Sequence, residues 1–149
     1  MKFIADAMLG KLAKRLRLLG LDVLYDPRLD DNEIIRSALE QDRVILTRDR
    51  ALSVRPLARR QLFINSEQVE EQLDQVLSTC PSEQHPLTRC SACNEPNLPV
   101  AKEDVRDLVP QYVYEKTNDF LQCPNCRRIY WQGTHVIRMS LRQKKKPAR

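Results

Sequence analysis

Residues 44–52 read VILTRDRAL, and this stretch decides how the first half of the chain is interpreted. The apolar run at 44–46 is short and β-favouring, which predicts a buried strand. The strand leads into Asp49, which stands between Arg48 and Arg50. Because parallel α/β sheets bind ligands at the carboxyl ends of their strands, we expect a carboxylate flanked by two cations at such an edge.

Short apolar segments alternate with helical periodicity through the first 79 residues. Strands are predicted at 2–5, 22–25, 43–47 and 62–64, and helices at 7–19, 30–41, from 49 to about 59, and 66–78. This β-α alternation predicts an α/β fold with a mostly parallel sheet flanked by helices. Residues 1–79 are therefore expected to form one compact domain.

The second half of the chain has a different organisation. Residues 80–88 contain two prolines and no periodicity, which predicts a linker. Residues 89–140 are expected to form a small metal-stabilised module, and residues 141–149 a basic tail. Within the module a helix is predicted at 102–109, with short strands at 112–115, 120–123 and 128–139.

Four of the five cysteines form two closely spaced pairs, Cys90 with Cys93 and Cys123 with Cys126. Two such pairs are the tetrathiolate pattern of a structural zinc site, so we predict one bound Zn²⁺. Cys80 is left over and is interpreted as a small apolar residue or a free thiol.

The formal net charge of +5 is unevenly distributed. Residues 1–79 carry 13 basic and 13 acidic side chains, so the whole excess lies after residue 79, and no acid follows Asp119. A one-sided basic region suits a polyanion such as nucleic acid. For residues 142–149, a solvated tail explains the charge equally well.

Some classes of protein are set aside by composition. Only three glycines occur, so the chain has no glycine-rich phosphate loop of the kind used by kinases, ATPases and dinucleotide oxidoreductases. No run of 18 apolar residues and no signal peptide is found, so we expect a cytoplasmic protein with no membrane association.

Three aspartates are expected to meet at one edge of the sheet. Asp6 ends the first predicted strand, Asp49 follows the third, and Asp31 lies in a loop on the same edge. Carboxylates that converge repel one another unless a cation lies between them, and their hard oxygens suit Mg²⁺ or Mn²⁺. The alternative is that each aspartate caps the helix that follows it.

Arginines surround the third predicted strand. Between residues 43 and 60 a single acid, Asp49, stands against six arginines, at positions 43, 48, 50, 55, 59 and 60. A cationic rim that holds phosphates around an acidic centre that holds metal is what a metal-dependent nuclease requires.

Three motifs in order resemble a known family. They are DAMLGKLAKRLRLLGLDVLY at 6–25, DDNEIIRSALEQDRVILTRDRAL at 30–52, and CSAC at 90–93 with CPNCRRIYWQGTH at 123–135. The chain resembles the Mut-seven C-terminal RNase domain family, which has a PIN-like nuclease fold with a C-terminal zinc ribbon. The resemblance covers roughly residues 1–140. It implies an RNA substrate, catalytic Asp6, Asp31 and Asp49, and the four paired cysteines as zinc ligands.

The chain departs from the family pattern at two places. Many PIN-like enzymes have a fourth acid shortly after the third, whereas RALSVR follows Asp49, and Glu33 or Asp30 is the accessory candidate. Zinc knuckles commonly have glycine at positive φ after the second cysteine. Asn94 and Arg127 stand there, and because arginine adopts positive φ less readily, we expect a strained or differently shaped second knuckle.

Several side chains are candidates for contact with RNA or with the metal edge. Arg48 and Arg50 would meet phosphate, and Thr47 would bond a carboxylate or a water at the metal, or simply be a strand residue. In the ribbon the candidates are Arg127, Arg128 and Tyr130, since rings beside arginines stack exposed bases. Trp131 is interpreted as ribbon core. On the first helix, Lys14 and Arg15 extend the RNA surface or form a solvated face.

The sequence therefore predicts a metal-dependent ribonuclease with a zinc ribbon that binds single-stranded or structured RNA. Attack by activated water is expected, with no covalent enzyme intermediate. The alternatives are a non-catalytic RNA- or ribosome-binding adaptor with the same fold, and a protein-interaction module. The sequence identifies no protein partner.

Overall fold

The computed structural model describes residues 1–133. The predicted basic tail, the end of the predicted ribbon, and the end of its last predicted strand lie outside the described residues.

The first half of the chain forms a four-stranded parallel sheet with helices on both faces, as predicted. Its strands lie in the order β2-β1-β3-β4. The strands are β1 (Lys2–Ala5), β2 (Asp22–Leu24), β3 (Arg43–Thr47) and β4 (Gln61–Phe63), and the helices are α1 (Gly10–Leu18), α2 (Asp31–Gln41), α3 (Arg50–Ser53) and α4 (Val69–Thr79). A 3-10 turn over Ala7–Leu9 precedes α1.

Alternating side chains of the central strands build a separate core on each face of the sheet. Phe3 and Val44 pack with α1 and α4 on one face, whereas Ile4 and Ile45 pack with α2 and α3 on the other. This is the two-residue period of extended backbone. All five residues of β3 are buried, which explains its continuous apolar run.

Up to residue 133, the second half forms a three-stranded antiparallel sheet in the order β5-β6-β7. These strands are β5 (Leu98–Val100), β6 (Phe120–Gln122) and β7 (Ile129–Tyr130), and α5 (Gln111–Lys116) precedes β6. A 3-10 turn over Lys102–Val105 replaces most of the helix predicted at 102–109.

Three further sequence predictions were wrong in detail. The helix expected to reach about residue 59 ends at Ser53, because Pro56 disfavours helical backbone at the residue before it. The segment predicted as a strand at 112–115 is helical within α5, since four alternating residues are too few to separate the two periods. Strand β5 was missed because it contains Pro99, which an edge strand tolerates.

A turn after α1 brings the two halves together. Gly20 adopts φ +88°, and an added Cβ would lie 2.3 Å from the carbonyl oxygen of His85. The backbone N–H groups of His85 and Leu87 donate to the carbonyls of Leu19 and Leu18, both at 2.9 Å. Only glycine fits this turn, because the backbone needs both positive φ and a close approach.

Candidate functional site

The four paired cysteines form a compact cluster in the ribbon. The sulfur atoms of Cys90, Cys93, Cys123 and Cys126 all lie within 4.8 Å of one another, and none forms a disulfide. The Cys90 and Cys126 sulfurs are 3.6 Å apart. Zn–S bonds of about 2.3 Å in a tetrahedron place sulfurs about 3.8 Å apart, so the cluster fits a zinc ion.

Both knuckles of the cluster have the same backbone hydrogen bonds. In the first, Asn94 N–H donates to the Cys90 carbonyl at 2.9 Å, and Cys90 N–H donates to the carbonyl of the residue after Asn94 at 2.8 Å. In the second, Arg127 and Cys123 repeat the pattern at 3.0 Å each. Asn94 and Arg127 have φ +65° and +67°. Of the two outcomes expected for the second knuckle, a different shape is not found, and strain is the one that fits, because Arg127 adopts the left-handed backbone that arginine disfavours.

The hydroxyl of Tyr130, in strand β7, contacts the cysteine cluster. The Tyr130 Oη atom lies 3.2 Å from the Cys90 sulfur and accepts the Ser91 N–H at 3.0 Å. Burial raises the pKa of the Cys90 thiol, but hydrogen bonds from Tyr130 and from the Cys93 and Ala92 N–H groups outweigh it and lower that pKa to about 7. Such bonds favour the thiolate that a metal requires.

The first knuckle is docked on the α/β domain through two polar side chains. Arg17 of α1 is 4% exposed, and its guanidinium donates to the carbonyls of Val23, Ser91 and Ala92 at 2.9, 3.1 and 3.2 Å. The Asn94 side chain accepts the Val23 N–H at 3.0 Å and so occupies the free edge of β2. Neither residue was singled out for this role from the sequence, because only the folded chain brings positions 17 and 94 together.

Asp6 ends β1 and is the most buried of the three predicted catalytic aspartates. Its carboxylate is 5% exposed and accepts the N–H of Met8 and of Arg48, each at 2.9 Å, and the hydroxyl of Thr47 at 2.5 Å. Its bond from Met8 caps the following 3-10 turn. In the part of the chain that the structure describes, no lysine or arginine forms an ion pair with it.

Asp49 lies beside Asp6 and is linked to it by one side chain. The Asp49 N–H donates to the Thr47 hydroxyl oxygen at 2.9 Å, and that same hydroxyl donates to Asp6. One Asp49 carboxylate oxygen, Oδ1, accepts the Ala51 N–H at 2.9 Å and caps α3. Capping thus accounts for one oxygen of each of these aspartates, as the alternative reading expected.

Three acidic residues lie at the amino end of α2, and their side chains have different hydrogen bonds. Asp30 and Glu33 form a reciprocal capping box, with both bonds at 2.8 Å. Asp31 is the first residue of the helix rather than its cap, and across residues 1–133 its carboxylate has no hydrogen bond or ion pair. The two accessory candidates therefore have a structural role, whereas Asp31 is uncommitted.

We call Asp6, Asp31 and Asp49 the acidic edge. They lie on the carboxyl side of the parallel sheet, since each follows a strand or opens the helix after one. Their oxygens do not gather tightly: among residues 1–133 the four cysteines are the only group of three or more potential ligands within 4.8 Å.

The arginines around β3 do not all point to the sheet edge as the predicted cationic rim requires, because some of them bind other groups of the protein. The Arg48 guanidinium donates to the carbonyls of Ile64 and Ser66 at 3.0 and 2.8 Å, so it fixes the turn after β4. Arg50 lies 4.9 Å above the Phe63 ring. Arg55 donates to Asn32 at 2.6 Å and thereby lies next to Asp31.

The remaining candidates for RNA contact divide into exposed and engaged side chains. Lys14, Arg127 and Arg128 are exposed. Arg15 lies 3.4 Å from Glu70 of α4, and Tyr130 is 9% exposed. The Tyr130 ring therefore offers no open face for a base.

A family model described as the Mut7-C RNAse domain matches residues 1–142. No curated protein and no solved structure matches the chain. Among the described residues, no helix is both long and apolar enough to cross a membrane.

Proposed function

Because the chain belongs to the Mut7-C RNAse domain family, we propose that it is a ribonuclease that hydrolyses RNA phosphodiester bonds with a divalent cation, Mg²⁺ or Mn²⁺, at the acidic edge. In this proposal residues 1–79 are the PIN-like catalytic domain. Residues 89–140, the ribbon, and residues 141–149, the basic tail, bind RNA, and residues 80–88 link them.

One observation carries the catalytic part of the proposal. Asp6 is a buried carboxylate held by three hydrogen-bond donors, and within residues 1–133 no cationic side chain pairs with it. Burying an anion without a counter-charge is costly. A bound cation at the acidic edge would supply that charge.

The other two aspartates supply oxygens that local structure leaves open. Within residues 1–133 the Asp31 carboxylate makes no hydrogen bond, and the one hydrogen bond to the Asp49 carboxylate goes to Oδ1. Mg²⁺ keeps several of its waters and is often held by one or two carboxylates, so its ligands need not crowd together. The acidic edge therefore fits such an ion despite the spread of its oxygens.

In the proposed hydrolysis, the residues of the acidic edge and the nearby arginines have different roles. The cation, when bound, would stabilise charge on the phosphodiester and lower the pKa of water. Asp6 is held in one orientation by Thr47 and two backbone N–H groups, whereas Asp31 and Asp49 complete the cation site. Arg50 follows Asp49 in the chain and Arg55 donates to Asn32, the neighbour of Asp31, so these two arginines would hold phosphates of the RNA strand.

Reduced thiols are needed for the cysteine cluster, which fits a cytoplasmic protein. The same cluster fixes Arg127 and Arg128 on the second knuckle, so the metal would position two of the RNA-binding cations.

The acidic edge is tested by cleavage of labelled single-stranded and structured RNA. We expect the wild type to cleave in Mg²⁺ or Mn²⁺ and not in EDTA. Asp6→Asn, Asp31→Asn and Asp49→Asn should each lower the rate by about 10² or more, since each removes a charge at the cation site. Rates are measured under single-turnover conditions with excess protein.

Asp107→Asn is the matched control, because it removes one exposed carboxylate from the ribbon. It should leave the rate unchanged. Cleavage that persists in all three edge variants would point to a contaminating nuclease and remove the support for this site.

A non-catalytic RNA-binding adaptor is the second candidate. It is favoured by the spread of the acidic oxygens and by the capping bonds of Asp6 and Asp49, which explain two aspartates without catalysis. The adaptor predicts RNA affinity that falls with salt, survives Asp49→Asn, and is accompanied by no cleavage in any metal.

A further inference from the structure

A groove in the ribbon is lined by aromatic, apolar and cationic side chains that are not ligands of the cysteine cluster. Its volume is about 400 Å³, and it is lined by Ser91, Leu108, Arg127, Arg128, Ile129, Tyr130 and Trp131. The volume lies in the range of roughly 300–1,000 Å³ that is usual for small-ligand pockets.

Trp131 gives the groove a fixed aromatic surface. Its ring meets Phe120 edge-on, with centroids 6.4 Å apart and planes at 60°. It also packs on the core cluster of Val105, Val113 and Phe120, remains partly exposed, and is one of the residues that line the groove. A ring anchored on one side and open on another loses little freedom when a second ring stacks on it.

The groove is positively charged. Arg127 and Arg128 are exposed, and within residues 1–133 their guanidinium groups have no ion pair or hydrogen bond. No aspartate or glutamate is found among the lining residues. Two unpaired cations beside an apolar ring complement a ligand that has both an anion and a flat π-system.

We propose that this groove binds one unpaired nucleotide of the RNA strand, with its base on Trp131 and its phosphate at Arg127 and Arg128. The proposal deepens the proposed function and rests on it, because it names single-stranded RNA as the substrate class. A paired base is stacked and bonded within its helix, so duplex RNA cannot present one to the ring. Trp131 thus takes the part that the sequence had assigned to Tyr130.

Trp131 is the only tryptophan in the chain, so its fluorescence reports on binding next to its ring, and the arginine variants below assign that binding to the groove. The experiment adds short oligouridine RNA to zinc-loaded Asp49→Asn protein without Mg²⁺ or Mn²⁺, so that binding is read without cleavage. We expect saturable quenching of Trp131, with the same dissociation constant as fluorescence anisotropy of labelled RNA. The same RNA annealed into a duplex should quench far less, and polyglutamate should not quench.

Paired variants test each half of the groove. The double variant Arg127→Ala, Arg128→Ala should reduce the slope of log Kd against log salt concentration by roughly 0.7, as expected for one lost phosphate contact on a single strand. Trp131→Ala should weaken binding about tenfold by anisotropy. Arg36→Ala, an exposed arginine on α2, and Tyr112→Ala, an exposed ring on α5, remove a charge and a ring elsewhere and should change neither result.

The outcomes separate this proposal from the proposed function. RNA that binds without quenching, or that quenches equally as a duplex, overturns the nucleotide site even if the wild type cleaves RNA. Quenching by polyglutamate would reassign the groove to an acidic peptide. Specific quenching in a wild type that never cleaves would leave the groove standing and remove the nuclease. Since Trp131→Ala removes ribbon packing, its zinc content is measured, and if zinc is lost Trp131→Phe replaces it, with about threefold weaker binding expected.

Discussion

The Thr47 hydroxyl connects two residues of the acidic edge. It donates its proton to Asp6 at 2.5 Å and accepts the Asp49 N–H at 2.9 Å, and the side chain is fully buried. A hydroxyl has one donor, so these two bonds fix its direction. Thr47 therefore acts as a positioning residue for Asp6 and for the backbone of Asp49.

Thr47→Val removes this hydroxyl while nearly conserving shape. We expect a loss of about 1–3 kcal/mol in the free energy of unfolding, because the Asp49 N–H is left without its partner. Cleavage should fall by about 10- to 100-fold, as is usual when a group that orients a metal ligand is lost. Urea unfolding and a titration of the cleavage rate against Mn²⁺ measure the two effects.

Thr47→Ser is the matched control, since it restores the hydroxyl and removes only a methyl group. It should recover most of the cleavage rate and the Mn²⁺ dependence. If the valine variant loses stability but keeps the wild-type Mn²⁺ midpoint, Thr47 is structural and does not position the acidic edge.

At the residue scale the sequence located the acids but not their hydrogen bonds. The strand ends that carry Asp6 and Asp49 follow from apolar patterning, and the sheet edge follows from parallel pairing. The direction of the Arg48 side chain cannot be predicted in this way. Its guanidinium donates to the carbonyls of Ile64 and Ser66, and the position of those carbonyls depends on the turn after β4. A side chain that satisfies distant backbone groups leaves no local signal in the sequence.

At the scale of elements, helix α1 and the first zinc knuckle share one buried cation. Arg17 has no carboxylate within ion-pair distance among residues 1–133, and its hydrogen bonds go to carbonyls of β2 and the knuckle. Burial lowers the pKa of Arg17 below its ordinary value, and the charges of Cys90, Cys93 and Asp22 offset this only in part. A zinc tetrathiolate carries net negative charge, so its field would stabilise this guanidinium.

Arg17→Met tests this connection by keeping the apolar stem and removing the charge. We expect a loss of about 3 kcal/mol in the free energy of unfolding, since carbonyls of Val23, Ser91 and Ala92 lose their donor. Zinc should also transfer to a competing chelator about tenfold faster than from the wild type. Urea unfolding and a colorimetric chelator assay supply the two readouts.

Lys14→Met is the control, because Lys14 is an exposed cation on the same helix. It should leave both measurements unchanged. Equal zinc transfer from the Arg17 variant and the wild type would show that docking and metal retention are independent.

The elements that could be predicted are those with a strong local pattern. Helices α1, α2 and α4 and the four parallel strands each carry an apolar face of the right period, and the sequence placed them within a few residues. In the ribbon the pattern is weak, because Val113 and Phe120 fill a core of only a few side chains. There Pro110 stands directly before the first residue of α5, and periodicity over so few residues does not decide between helix and strand.

At the scale of the whole molecule the two halves are stabilised differently. The α/β domain has an apolar cluster on each face of its sheet, and the larger one contains 14 buried residues. The part of the ribbon that the structure describes, residues 89–133, has two small clusters, one of which includes Cys90 and Cys123 themselves. A module with so little apolar core usually depends on its metal to fold.

Removal of zinc should therefore affect the two halves unequally. Purified protein should contain about one zinc per chain by atomic emission. After chelation under reducing conditions, we expect amide hydrogens of β6 and β7 to exchange rapidly and Trp131 emission to shift to longer wavelength, as ribbon packing is lost. Amide hydrogens of β1 and β3 should stay protected, because they lie between two apolar clusters. Mass-spectrometric hydrogen exchange resolves these segments, and Zn²⁺ added back should restore protection in the ribbon.

Two outcomes would contradict this prediction. Full protection of β6 and β7 in metal-free protein would mean that the ribbon folds without its metal. Loss of protection in β1 and β3 would mean that Arg17 and Asn94 join the two halves into one cooperative unit.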